Sequence, residues 1–188
     1  MRTSTLRTSA LFIWLSMGGL PMKGQGCCVW AQAAINEVRT AAYPELAKTK
    51  ISVRPLNSRS DYMRAEFSFK RYLLGRRMEY FILVNPRLML LQAPLEGIRA
   101  IAAHELAHIS YYRTGTRWHL LGMIRMLSAQ WRSRFERSAD GEAIRRGFGT
   151  GLKEYRRWLY VNIPSAELPE KMRDYLSPEE IDAFMGTP

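Results

Sequence analysis

The chain has 188 residues, 47% hydrophobic and 24% charged, enough for one domain with a sizeable core; that composition excludes an intrinsically disordered protein. Its formal net charge is +11, so it is attracted to anionic surfaces and acidic partners. Cys27 and Cys28 are the only cysteines and are adjacent, which excludes a disulfide framework.

Residues 1–26 have the parts of an export signal: Arg2 and Arg7, an apolar core from Ala10 to Met17, then small residues up to Gly26. The core is too short to span a bilayer well, so a signal peptide is expected over 1–26, followed by a single domain over 27–188. The expected location is therefore periplasmic or otherwise extracytoplasmic. Gly26 before Cys27 suits lipid anchoring at Cys27, although Gly24 stands where the bacterial lipoprotein pattern has Leu.

Val29 to Ala42 reads as a modest amphipathic helix closed by Pro44. Lys50 to Arg54 reads as a short strand and Asn57 to Asp61 as a polar turn. Ala65 to Phe69 alternates like a half-buried strand, and Glu79 to Val84 forms another that stops at Asn85-Pro86. A small, mostly antiparallel sheet is expected. Tyr80 to Val84, directly ahead of the next helix, is a candidate edge to which an extended peptide could add; its near-continuous hydrophobicity equally suits a central strand.

Leu95 to Tyr112 is predicted helical, with Gly115 ending it. Within it lies His104-Glu105-Leu106-Ala107-His108. Histidines four apart stand one turn above each other on one helix face, so both imidazoles can reach one metal ion. Glu105 lies beside them, placed to take a proton from water at the metal. Such a centre needs a third protein ligand and an open position. The remaining histidine, His119, follows the motif too closely to serve comfortably. Downstream, Glu136 and Asp140 stand at helical spacing, so one carboxylate can ligate while the other accepts the free ring N–H of a ligating histidine.

Between these motifs Trp118, Leu121, Ile124, Leu127 and Trp131 recur at helical spacing among Arg117, Arg125 and Arg132. This helix is expected to pack on the core or to lie on a membrane interface, and Arg125 argues against a transmembrane span. The helix around Glu136 is predicted to run to Arg146 and stop at Gly147. Tyr155 to Tyr160 is helical or extended, Pro164 and Pro169 bound a loop, and Ser177-Pro178 opens a last short helix. From Arg113 to Arg157 arginines far outnumber acids; this stretch is either solvated helix faces or a surface for an anionic membrane or acidic partner.

The residues HELAH at 104 to 108 and SRFERSAD at 133 to 140 resemble the HtpX-like and CAAX-prenyl-protease-like gluzincin peptidases, whose second motif has the form Ser-Arg-x-x-Glu-x-x-Ala-Asp. The resemblance covers the stretch from the motif helix to the second motif. It implies an α+β, zincin-like fold, with the small sheet packed on the HExxH helix and on a second helix that carries the Glu ligand. It further implies one Zn²⁺ held by His104, His108 and Glu136, Glu105 as general base, and Asp140 as the partner of a ligating histidine. The long membrane spans of the integral-membrane members are missing between and around the motifs.

The expected function is a zinc metalloendopeptidase acting on a peptide or protein substrate, with an anionic membrane surface as a candidate partner. Tyr155, Tyr160, Arg134 and His119 are candidate oxyanion donors by residue type. The alternative is a catalytically idle, metal-stabilised module that binds a partner or membrane through basic helices; against it, a structural site has no need of Glu105. Nucleic-acid binding would rest on net charge alone and is not expected.

Overall fold

The computed structural model describes residues 25–114 and 128–186. The export-signal residues 1–24, and residues 115–127 with Trp118 and His119, lie outside the described residues.

In chain order the described elements are α1 (Gln25–Ala42), a 3-10 turn (Pro44–Leu46), β1 (Ile51–Pro55), β2 (Met63–Phe67), α2 (Phe69–Leu73), β3 (Tyr80–Val84), α3 (Arg87–Leu90) and α4 (Leu95–Thr114). They continue with α5 (Ala129–Ala143), a π-helical turn (Ile144–Phe148), α6 (Gly149–Asn162), α7 (Leu168–Asp174) and α8 (Pro178–Met185). The class is α+β with helix predominating.

The three strands lie in the order β1-β3-β2, with β1 parallel and β2 antiparallel to β3. The sheet is therefore mixed, which corrects the mostly antiparallel expectation. β3 is its centre, which corrects Tyr80 to Val84 as the candidate edge. Burial supplies the reason: Tyr80, Phe81, Ile82 and Val84 are all inside, and a strand covered on both faces reads as an unbroken apolar run. β2 alternates instead, with Met63 and Ala65 buried and Arg64 and Glu66 exposed, so it suits an edge with one wet face. It ends at Phe67 because Ser68 caps α2, its hydroxyl accepting the N–H of Arg71. That cap overrides the alternation expected to carry the strand to Phe69.

α1 starts at Gln25, so Cys27 and Cys28 fall within its first turns. It buries Ala31, Ile35 and Val38 and packs on β1, β3 and α4. Just past its end the buried Tyr43 donates its hydroxyl to Ala103 O at 2.7 Å, tying the first helix to the motif helix.

α4 is buried almost throughout, from Gly97 to Ile109, and α6 crosses it at close range. A Cβ on Gly151 would lie 2.4 Å from the Glu96 carbonyl oxygen, so only glycine allows this approach. The helix carrying Glu136 passes into the π-helical turn and breaks at Gly147, where φ is +92°, as expected; a separate helix, α6, starts at Gly149 and takes Tyr155 to Tyr160 in as helix. Pro169 sits in the first turn of α7, where no N–H is required, so the expected loop is shorter. α8 opens as expected, with a capping box between Ser177 and Glu180.

Candidate metal centre

The crossing of α4 and α5 brings three side-chain atoms together. His104 Nε2 and His108 Nε2 are 3.1 Å apart, and Glu136 Oε2 is 3.1 Å from each. His104 is 1% and His108 5% exposed. This buried group could hold a metal ion.

The donor chemistry fits such an ion. Asp140 is held below the usual carboxylate range: burial opposes its charge, but Arg156 and His104 outweigh burial. An ionised carboxylate can only accept, so His104 Nδ1, 2.8 Å from Asp140 Oδ1, carries the ring proton. In the neutral ring Nε2 then presents a lone pair toward His108 and Glu136. Ligands about 2.1 Å from a tetrahedral zinc ion lie about 3.4 Å from one another, a few tenths of an ångström wider than the spacing seen.

Two further shifts follow from these charges in the metal-free site. Burial disfavours a charge on His104, yet its hydrogen bonds with Asp140 and Glu136 prevail and raise it to about 10. Glu136 is pulled far below its ordinary value, since His108 and His104 overcome the cost of its burial.

Behind His104 stands a residue that sequence reasoning missed. Arg156, from α6 and 1% exposed, donates to Asp140 Oδ1 at 2.7 Å and Oδ2 at 3.0 Å. The same carboxylate accepts the backbone N–H of Leu176 at 2.9 Å. The Arg156 guanidinium also lies 4.4 Å from the centre of the Tyr175 ring. Asp140 is thus fixed from α6 and from the segment after α7, and through it the plane of the His104 ring. His108 is held differently: its ring stacks on Phe135 at 4.5 Å, and its Nδ1 is buried without a hydrogen-bond partner among the described residues.

Glu105 points to the sheet side of the centre. Its Oε2 accepts the Ala65 N–H at 2.6 Å, and burial raises its pKa above the ordinary value against the pull of His104 and His108. That contact locates the true sheet edge. The Tyr62 carbonyl and the Ser68 N–H bond toward β3, so the backbone groups of Met63, Ala65 and Phe67 face the other way, past Glu105.

A cleft of about 300 Å³ opens here, lined by Met63 and Ala65 of β2, by Glu105, His108 and Glu136, and by Tyr175. Its far wall is pinned by ion pairs: Arg132 with Asp174 (2.8 Å) and Glu170 (2.7 Å), and Lys171 with Asp61 (2.6 Å). Of the candidate oxyanion donors, Arg134, Tyr155 and Tyr160 are absent from this cleft lining, and His119 is outside the described residues. Tyr175 and Tyr112 line the cleft instead. Tyr112 stands one helical turn after His108, so the motif helix itself places it, whereas Tyr175 is brought in by tertiary contacts that no local pattern marked.

No family model, curated protein or solved structure matches this chain.

Proposed function

We propose that the protein is a zinc-dependent metalloendopeptidase with a zincin-like fold, akin to the HtpX-like and CAAX-prenyl-protease-like gluzincins that its motifs resemble. The observation that carries this reading is the triangle of His104 Nε2, His108 Nε2 and Glu136 Oε2 at 3.1 Å, with Glu105 beside it at the floor of an open cleft.

His104, His108 and Glu136 would hold a zinc ion, which would supply Lewis acidity for the scissile carbonyl and a water whose pKa is lowered toward about 7. The chain's own residues do the rest. Glu105 takes the proton from the attacking water and passes it to the leaving amine; its raised pKa brings it closer to the working range of a general acid–base group. The Ala65 N–H holds the Glu105 carboxylate in place, and Asp140 holds the His104 ring. The outward backbone groups of Met63 and Phe67 and the Ala65 carbonyl offer an extended peptide a strand to pair with, which binds backbone without reading side chains. Tyr175 is the hydroxyl we assign to the developing oxyanion. The composition of residues 1–26 supports export, with Cys27 as the site for lipid.

One observation favours the second reading, an idle metal-stabilised module: the Glu105–Ala65 hydrogen bond already ties helix to sheet and gives Glu105 a structural use. Glu105→Gln separates the two. The peptidase reading expects this variant to keep zinc at the wild-type stoichiometry and to lose cleavage of an unfolded protein substrate. Wild-type chain that binds zinc and cleaves no such substrate supports the idle module.

A further inference from the structure

The end of the molecule where β2 stops and β3 begins carries a surface that the metal centre does not use. There α2 and the residue after it present Phe69, Leu73 and Leu74 at 58%, 64% and 56% exposure. Three large apolar side chains so close in sequence form a tip, unlike the single exposed apolar residues common on any surface. Lys70, Arg76 and Arg77 flank the tip. Beside it Arg77 joins Lys48, Lys50 and Arg113 around a depression of about 240 Å³.

The nearby acids are already engaged. Glu79 pairs with Arg71 at 3.0 Å and Lys50 at 3.7 Å, and Glu66 with Arg64 at 3.4 Å. Lys48, Lys70, Arg76, Arg77 and Arg113 have no ion-pair partner among the described residues. An apolar tip flanked by uncompensated cations is complementary to a bilayer surface with anionic headgroups, whose interface takes Phe and Leu while its phosphates take Lys and Arg. A soluble polyanion would match the cations and leave the three apolar side chains in water. No described helix is long and apolar enough to cross a membrane, so contact through this end is peripheral.

We propose that this end docks the protein on an anionic lipid membrane, with Phe69, Leu73 and Leu74 entering the interface and Lys48, Arg77 and Arg113 receiving headgroup phosphates. Because β2 also walls the cleft, docking holds the cleft beside the lipid surface. That consequence rests on the peptidase reading; the docking does not.

The test is co-sedimentation of the full chain with vesicles of phosphatidylglycerol and phosphatidylcholine, against vesicles of phosphatidylcholine alone, with no turnover measured. Wild type is expected to bind the anionic vesicles and to lose binding as salt rises. The double variants Leu73→Ser with Leu74→Ser, and Arg76→Glu with Arg77→Glu, should each weaken binding about tenfold or more while melting like wild type. Arg59→Glu with Arg157→Glu makes the same charge change on exposed residues elsewhere and should leave binding unchanged. Equal loss in that control would reduce the effect to net charge and overturn the proposal. So would wild-type binding by both test variants, or a leucine variant that melts lower yet binds normally, since the tip is then a packing face of the chain.

Discussion

Arg156 and Asp140 form a buried ion pair, 2.7 Å and 3.0 Å from one guanidinium nitrogen to the two carboxylate oxygens, and the carboxylate's other duty is to hold His104. Arg156 therefore acts on the candidate metal centre without lining it. Breaking a buried pair by removing one partner costs about 3–5 kcal/mol, because a charge is left without a counter-charge. Arg156→Met is expected to lower the melting temperature and to weaken zinc binding by about 10–100-fold, the usual loss when support behind a ligand is removed. Thermal melts and a chelator competition check it. Wild-type zinc affinity in this variant would remove Arg156 from its positioning role.

Changing the ligands themselves should act on the metal first. His104→Ala, His108→Ala and Glu136→Gln each remove one of three donors, so zinc content measured after dialysis should fall well below equimolar. Chelator treatment of the wild type should abolish peptide cleavage, and added zinc should restore it. Full zinc occupancy in Glu136→Gln would mean that the third ligand is another group.

Metal uptake should depend on pH in a set direction. In the metal-free chain the His104 value is raised from 6.5 to about 10, with the pull of Asp140 and Glu136 outweighing burial. A value raised above that of the unfolded chain means that the charged ring adds stability fully below about 6.5. That contribution is lost as pH climbs toward 10. Binding a cation must displace this proton, so zinc affinity should rise about tenfold per pH unit from neutral toward alkaline pH. Melts and zinc titrations across pH should thus move in opposite directions for the metal-free and metal-loaded protein. A pH-independent zinc affinity would show that no proton leaves the site.

The α4–α6 crossing predicts a packing effect remote from any chemistry. Gly151→Ala places a methyl 2.4 Å from a backbone carbonyl oxygen that cannot swing aside, and overpacking of this kind costs about 1–3 kcal/mol. Gly186→Ala meets nothing closer than 3.5 Å and should stay within about 0.5 kcal/mol of wild type. Denaturant melts of the two variants give the comparison.

Much of the centre could be read along the chain because its geometry is local there. Helical period alone puts His104 above His108, and it puts Glu136 and Asp140 on one face of α5. The unbroken apolar run of β3 carried the sign of a central strand, yet the adjacency of Tyr80–Val84 to the motif helix drew the edge to the wrong strand. Arg156 was not legible at all. In a chain this rich in arginine nothing local distinguishes it from its neighbour Arg157; one is buried on Asp140 and the other exposed.

By itself the sequence determined the motif helix, the pairing of donor types within each motif, and an α+β composition of elements, since each depends on residues only a few positions apart. Tertiary structure brings Glu136 to the imidazole nitrogens, as the motif resemblance implied, and it alone decided which arginine steadies Asp140 and which strand is left at the rim of the cleft. Those contacts join residues 32, 36 and 16 positions apart and reach from Ala65 to Glu105 across 40. They exist only where α4, α5 and α6 cross against the sheet, and the angle and closeness of that crossing belong to the packed core.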